Sequence, residues 1–484
     1  MSKTYLPYEP TQAFLLPPSP LEWLPEGHLA QFVLDTVAEL DLSPIFAHYD
    51  RELRGKPPHH PRMMVALLVY GYCVGVASSR KLERKTHEDV AFRVLAGNTH
   101  PDHVQISEFR RIHLSTLSGL FLQVLLLCRE MKMVKLGHVS LDGTKVKANA
   151  SKHKAMSHGR MNQDEVRLKV EVAALMKAAE QADAAEDEAH GKGHRGEDIP
   201  EELRRRGARI EKIRAAKAAL VAEAKAQAEE RTAEATIEAQ TEAALVEMNN
   251  VRAARKRDDS DEDPPAPPST VAPEALPQHQ VPVQKDGTPT DKAQRNFTDA
   301  DSRIMKTNAG FEQGYNAQVV VDEENQIIVA VGVSNQSPDP EHFIPMLDRV
   351  VENLGAPPQR VSADTGYFSE ANVARGAARG IDLYIATART KHSEAHAPLP
   401  CEADEFSVKA QMKIKLATDE GKAIYSRRKV IVEPVFGQIK NRGFRHFLLR
   451  GLEKVRGEWA LIALSHNLLK LFGFQQRQRA SLAA

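Results

Sequence analysis

The sequence predicts an α/β fold: a mixed sheet, preceded by an all-helical N-terminal block and interrupted by a helical, coiled-coil insertion. Three observations carry this. Strand signals start at His138–Val146 and resume only at Tyr315–Asn335. From there strands and helices alternate, as in a mixed α/β sheet. Between the two regions, residues 162–257 are rich in Ala, Glu, Lys and Arg and carry no strand signal. At roughly 150 residues per domain, 484 residues suit about three modules, and 42% hydrophobic with 27% charged residues excludes wholly disordered and collagenous chains.

Residues 1–18 are proline-spaced and predict an extended arm. Residues 19–133 predict a helical domain, in which Leu29, Phe32, Val33, Val37 and Leu40 recur at helical intervals. Met63–Ala77 is apolar nearly all round, as in a central helix. That run is shorter than the roughly 20 residues that span a bilayer, so no membrane partner is expected. Ser78 or Ser79 then caps a helix bearing Arg80, Lys81, Arg84 and Lys85. A further helix is expected from Ser107, with Arg110 and Arg111 in its first turns.

The sheet-bearing domain is expected from residues 134–160 and 293–474. Its first strand alternates through His138–Val146 and ends in the Asp142-Gly143 turn; a hairpin then turns at Asp322–Asn325. A helix over Phe343–Leu354, a strand at Arg360–Gly366, a helix at 369–379 and a strand at Ile381–Thr387 follow. In the insertion, 161–257, Leu203, Ile210, Ile213, Leu220 and Ala224 fit an a/d heptad, with Lys217 at one a position. Residues 258–292 read as an acidic, proline-rich disordered linker holding eight of the 28 prolines, and 475–484 as a tail.

Lys plus Arg equals Asp plus Glu at 65 each, yet from Gly421 onward there are 13 Lys/Arg against three acids, a net +10. Such a segregated basic end suits nucleic acid. Cys73, Cys128 and Cys401 are too few and too dispersed for a disulfide framework or a zinc site. With no basic-then-apolar start, a cytoplasmic, nucleoid-associated location is expected.

Three acids stand where α/β sheets collect ligands: Asp142 at the end of the first strand, Asp364 after the fourth, and Glu433 near the start of a helix. Taken singly, the aspartates read equally as turn residues and Glu433 as a helix-start residue favoured by the macrodipole. Their neighbours argue otherwise. Lys145, Lys147, Lys152, Lys154 and Arg160 follow Asp142 with no acid among them. Glu433 and Lys440 share a helix face about 10.5 Å apart, and Arg442, Arg445 and Arg450 extend the basic track. Three clustered carboxylates require neutralising cations, and oxygen donors favour Mg²⁺ or Mn²⁺. Two such ions about 3.5–4 Å apart serve phosphoryl transfer.

The stretches LDGTKVKANASKHKAM, DADSRIMKTNAGFEQGYNAQVVVDEENQIIVA, SADTGYF and YSRRKVIVEPVFGQIKNRGFRHFLLRG occur in order. By them the chain resembles bacterial insertion-sequence transposases of the DDE superfamily, whose catalytic domain is RNase H-like. The resemblance implies that Asp142, Asp364 and Glu433 are the metal-binding catalytic triad, holding two ions. Tyr425, Arg428, Glu433 and Lys440 look like the family's Tyr-Arg-Glu-Lys box, although four residues rather than three separate Arg428 from Glu433. Lys429 has the customary spacing, so either cation fits the Arg position. The resemblance implies a DNA transposase that binds terminal inverted repeats, cleaves the element ends and joins the 3′-hydroxyl to target DNA, acting as a dimer on double-stranded DNA. Arg80, Lys81, Arg84, Lys85, Arg110 and Arg111 would contact the repeats, or form an ordinary exposed helix face. Tyr367 and Phe368, beside Asp364, are better placed than Trp23 or Trp459 to meet a base. The alternatives are an RNase H-like metal-dependent nuclease that cuts without joining, and an inactive DNA-binding derivative.

Overall fold

Alternating apolar residues in the strand segments assemble one sheet. The structure, a computed structural model, describes residues 20–51, 57–190, 201–255, 275–307, 310–388 and 407–483. The expected arm, Cys401 and the linker up to residue 274 lie outside these. The strands are β1 (His138–Lys147), β2 (Ala155–Ser157), β3 (Gln294–Asn296), β4 (Arg303–Thr307), β5 (Gly310–Asp322), β6 (Ile328–Ser334), β7 (Arg360–Ala363) and β8 (Asp382–Ile385). β5 lies antiparallel to β1, with β4 and β6 along its other edge, while β7 and β8 continue parallel to β1. This mixed sheet meets the RNase H-like expectation. β2 and β3 form a separate two-stranded ribbon.

The N-terminal block contains α1 (Leu29–Glu39), α2 (Ser43–Tyr49), α3 (Pro61–Cys73), α4 (Ser79–Glu88), α5 (Val90–Leu95), α6 (His103–Ile112) and α7 (Leu114–Glu130). As its composition requires, α3 is buried on all sides from Met64 to Cys73. The helix expected at Ser107 starts instead at His103. Asp102 and Gln105 form a capping box there, each side chain taking the other's backbone N–H. That helix breaks at His113, so Arg110 and Arg111 fall in its last turn. Among the described residues no single helix is long and apolar enough to cross a membrane.

The insertion is a helical hairpin of α8 (His158–His190) and α9 (Glu201–Arg255). Ile210, Ile213, Leu220 and Ala224 pack against Met161 and Leu168, as the heptad predicts, with Ala216 joining them; the Leu203 side chain lies outside the described residues. Lys217 is accommodated by Glu165 on α8, whose carboxylate lies 2.7 Å from its ammonium. A correction concerns the linker. Within residues 275–292, Leu276, Val281 and Pro289 are buried against the fold, while 282–288 are exposed. Gln227 of α9 fastens this strap by donating to the His279 carbonyl and accepting from the Val281 N–H.

Downstream lie α10 (Phe343–Leu354), α11 (Glu370–Ala378), α12 (Val408–Ala417), α13 (Asp419–Ile431), α14 (Glu433–Asn441) and α15 (Leu452–Ala483). α15 packs against α3, α7 and β6 and runs through the segment expected to be a tail. One hydrophobic cluster joins the N-terminal helices, α15 and the sheet.

Candidate active site

Strand register brings two of the three acids together. In the parallel pairing of β1 with β7, Leu141 faces Ala363, so the next residues, Asp142 and Asp364, leave the paired region side by side. Asp142 is not at a strand end, as the sequence suggested, because β1 continues past it against β5 to Lys147. Nor is Asp142-Gly143 a turn. Gly143 faces Gln318 across the sheet, and a Cβ there would lie 2.4 Å from the Gln318 amide nitrogen. Both aspartates are oriented by backbone: Asp142 Oδ1 accepts from the Gly143 N–H and Asp364 Oδ1 from the Gly366 N–H, each at 2.8 Å.

Glu433 arrives from α14, its Pro434 suiting the first helical turn. The link between the acids is Arg428 in the last turn of α13. Its Nη1 lies 3.3 Å from Asp142 Oδ2 and its Nη2 3.3 Å from Glu433 Oε1. Tyr425 lies one turn earlier, with its ring 5.9 Å from the guanidinium carbon. Of the two cations, Arg428 faces the acids, while Lys429 is exposed. Lys440 Nζ lies 3.0 Å from Thr144 Oγ1, on the same face of β1 as Asp142.

Burial pushes the Asp142 carboxyl up to about 6, and the charges of Asp364 and Asp339 push the same way against Arg428 and the Gly143 N–H. Two oxygen-donor side chains that repel each other in a desolvated place suit a hard divalent cation. The three acids do not, however, converge on one point. Arg428 stands between Asp142 and Glu433, and among the described residues no group of three or more His, Cys, Asp or Glu is arranged to hold a metal ion.

The basic residues divide. Lys147, Lys152, Lys154 and Arg445 are exposed, as are Arg80, Lys81 and Arg84. Arg84 and Lys85 pair with Glu88 and Asp89, and Arg111 with Glu108. Three expectations fail. Arg110 is buried because its face of α6 meets the segment joining α3 to α4, where it donates to the Ala77 carbonyl and Ser79 Oγ. Arg442 donates to Ser465 Oγ of α15 and rests over the Phe444 ring. Tyr367 is buried and donates its hydroxyl to Gln318 Oε1, so it presents no face to a base. Lys145 is engaged by Asp339 and the Ser337 carbonyl. Sequence reading also missed Glu458, a buried carboxylate that accepts the Leu448 and Leu449 N–H groups and fixes the loop carrying Arg445 and Arg450.

Two family models match the chain. Residues 281–468, which hold Asp364 and Glu433, match the transposase DDE domain, and residues 19–111 match a transposase domain (DUF772). The chain belongs to the DDE-type transposases of insertion sequences. No curated protein and no solved structure matches it significantly. The DDE match begins in the strap at residue 281 and so leaves Asp142 outside. The register of β1 against β7 nevertheless sets Asp142 beside Asp364. As a DNA transposase of this family, the protein acts on DNA, and its family generally uses divalent metal ions.

Proposed function

We propose that this transposase binds the terminal inverted repeats of its element as a dimer on double-stranded DNA, cleaves the element ends and joins each freed 3′-hydroxyl to target DNA. In this reading Asp142, Asp364 and Glu433 are its catalytic carboxylates and would hold Mg²⁺ or Mn²⁺, two ions in all. Divalent ions held there would supply activation of the attacking water or hydroxyl and neutralisation of charge on the departing oxygen. The observation that carries the reading is the pairing of Leu141 with Ala363, which sets Asp142 beside Asp364 at the edge of a basic track.

The chain's own part is positioning and charge neutralisation. In cleavage, water attacks phosphorus and the bond to the 3′-oxygen breaks, leaving a 3′-hydroxyl and a 5′-phosphate. In joining, that hydroxyl attacks a target phosphorus and displaces the target's 3′-oxygen. Lys440, anchored at Thr144, and Tyr425 sit where a scissile phosphate would approach. Arg428 bridges Asp142 and Glu433 and offsets part of their charge. Lys147, Lys152, Lys154, Lys429 and Arg445 would track the flanking backbone. Arg80, Lys81, Arg84 and Lys85 on α4 would engage the repeats.

Asp142→Asn is expected to bind end DNA as the parent does and to yield no nicked product in Mg²⁺. Cleavage at parental rate would overturn the assignment. A 3′-hydroxyl end incubated with plasmid separates a transposase, which yields joined product, from a nuclease, which does not.

A further inference from the structure

Asp339, just before the short helical turn that opens α10, lies behind the candidate catalytic pair. Its Oδ1 accepts from three donors: Asn316 Nδ2 at 2.8 Å, Lys145 Nζ at 3.0 Å and Gln318 Nε2 at 3.2 Å. Lys145 and Asn316 are cross-strand partners in β1 and β5, and Gly143 and Gln318 form the next pair on the same face. One carboxylate therefore spans two same-face rungs of the ladder that carries Asp142. From Gln318 the chain continues, since its Oε1 accepts the Tyr367 hydroxyl. Tyr367 closes the turn that Asp364 caps, its N–H reaching the Asp364 carbonyl at 3.2 Å. Asn372 ties that turn to the one behind Asp339 by donating to the Tyr367 and Pro340 carbonyls.

Asp339 also approaches Asp364 directly. A Cβ on Gly366 would lie 2.9 Å from Asp364 Oδ1 and 3.4 Å from Asp339 Oδ2, so the two carboxylates flank one glycine. A third acid beside two others is unfavourable for folding. For packing alone, Asn would accept the same amide donors without the repulsion. What the acid adds is a fixed ion pair with Lys145, a cation three residues from Asp142 in a largely buried setting.

We propose that Asp339 is a positioning residue of the transposition chemistry: through Lys145 on one side and Gln318–Tyr367 on the other, it locks the strand carrying Asp142 to the turn carrying Asp364. This rests on the catalytic reading of those two aspartates. A displacement of about 1 Å at such a site costs on the order of 100-fold in rate.

The test compares the full-length protein with Asp339→Asn, Tyr367→Phe and the double variant. Single-turnover cleavage of duplex DNA carrying the terminal sequence that borders its gene is measured in Mg²⁺, together with end-DNA Kd and Tm. Each single variant is expected to lose roughly 10-fold or more in cleavage rate, with Kd within about twofold. The double variant is expected to be no slower than the slower single one, because both act through one chain of contacts. Parental cleavage by folded Asp339→Asn, or fully additive losses, would overturn the proposal. Should Asp339→Asn not fold, Tyr367→Phe decides alone: it deletes one hydroxyl, and a parental rate for it refutes the link. Asp142→Asn runs alongside. If it cleaves normally, the catalytic reading itself fails; if it is dead while Asp339→Asn is normal, only the positioning role falls.

Discussion

Asp142 holds its proton to about pH 6 because burial and Asp364 disfavour its charge, whereas an aspartate in an unfolded chain ionises near about 3.9. Between those values the folded protein binds more protons than the unfolded chain, so this group's stabilisation falls as pH rises and is gone above about 6. That difference corresponds to at most about 3 kcal/mol. Metal-free Asp142→Asn is therefore expected to melt above the parent at pH 7.5 and level with it at pH 4, by calorimetry in chelator. A lower Tm at pH 7.5 would mean that the Arg428 contact outweighs burial. Residue identity alone misjudged other positions. Arg110 and Arg442 read as DNA contacts because they are basic, yet the first caps a buried junction and the second anchors α14 to α15. Asp142-Gly143 read as a turn because that dipeptide usually is one, while here the glycine lets Gln318 cross.

The elements with strong periodicity were legible, among them the helix at Phe343–Leu354, the strand after Arg360 and the heptad of the insertion. β4 was not, since Arg-Ile-Met-Lys-Thr has little strand composition and is held by the first half of β5. Asp339 was illegible for a related reason: its donors converge only through the β1–β5 register. The same holds for how the insertion meets the sheet. Glu223 of α9 receives Arg295 of β3 at 2.7 Å and Arg303 of β4 at 2.9 Å, and Arg303 is nearly buried. Glu223→Ala would remove that cation's carboxylate partner and leave it the Ala300 and Ser302 carbonyls, at a cost of roughly 1–3 kcal/mol. Faster hydrogen exchange is expected in α9 and in residues 275–283, with the α3 and α7 amides unchanged. Unaltered exchange in α9 would show that the strap contacts suffice without Glu223.

At the scale of the whole molecule, the helical block and the sheet divide in sequence but not in packing. α7 lies along α15, α3 packs on α15 as well, and α15 also covers β6, so one core runs from Val33 through Leu68 and Leu464 to Val329. Polar links reinforce the junction: Cys73 lies against the Ser465 carbonyl, and Asn467 accepts from the Ile328 N–H and donates to the Ile328 carbonyl. A helical block free to swing with bound DNA would instead need a small polar interface. If α4 engages the repeats as proposed, bound DNA would stand in a fixed relation to the carboxylates. The mechanical consequence is cooperative unfolding of residues 20–133 with the sheet. Calorimetry should give one transition for these two parts, with the distal insertion free to melt separately. Asn467→Ala, which leaves the Ile328 backbone groups unpaired in the core, should lower that transition by about 1–3 kcal/mol at its midpoint. Near-ultraviolet signals from Trp23 in the helical block and Trp459 against the sheet should disappear together. If the Trp23 signal melted well before that of Trp459, the two parts would be independent domains, and α4 could not set the distance between the bound repeat and the cleavage site.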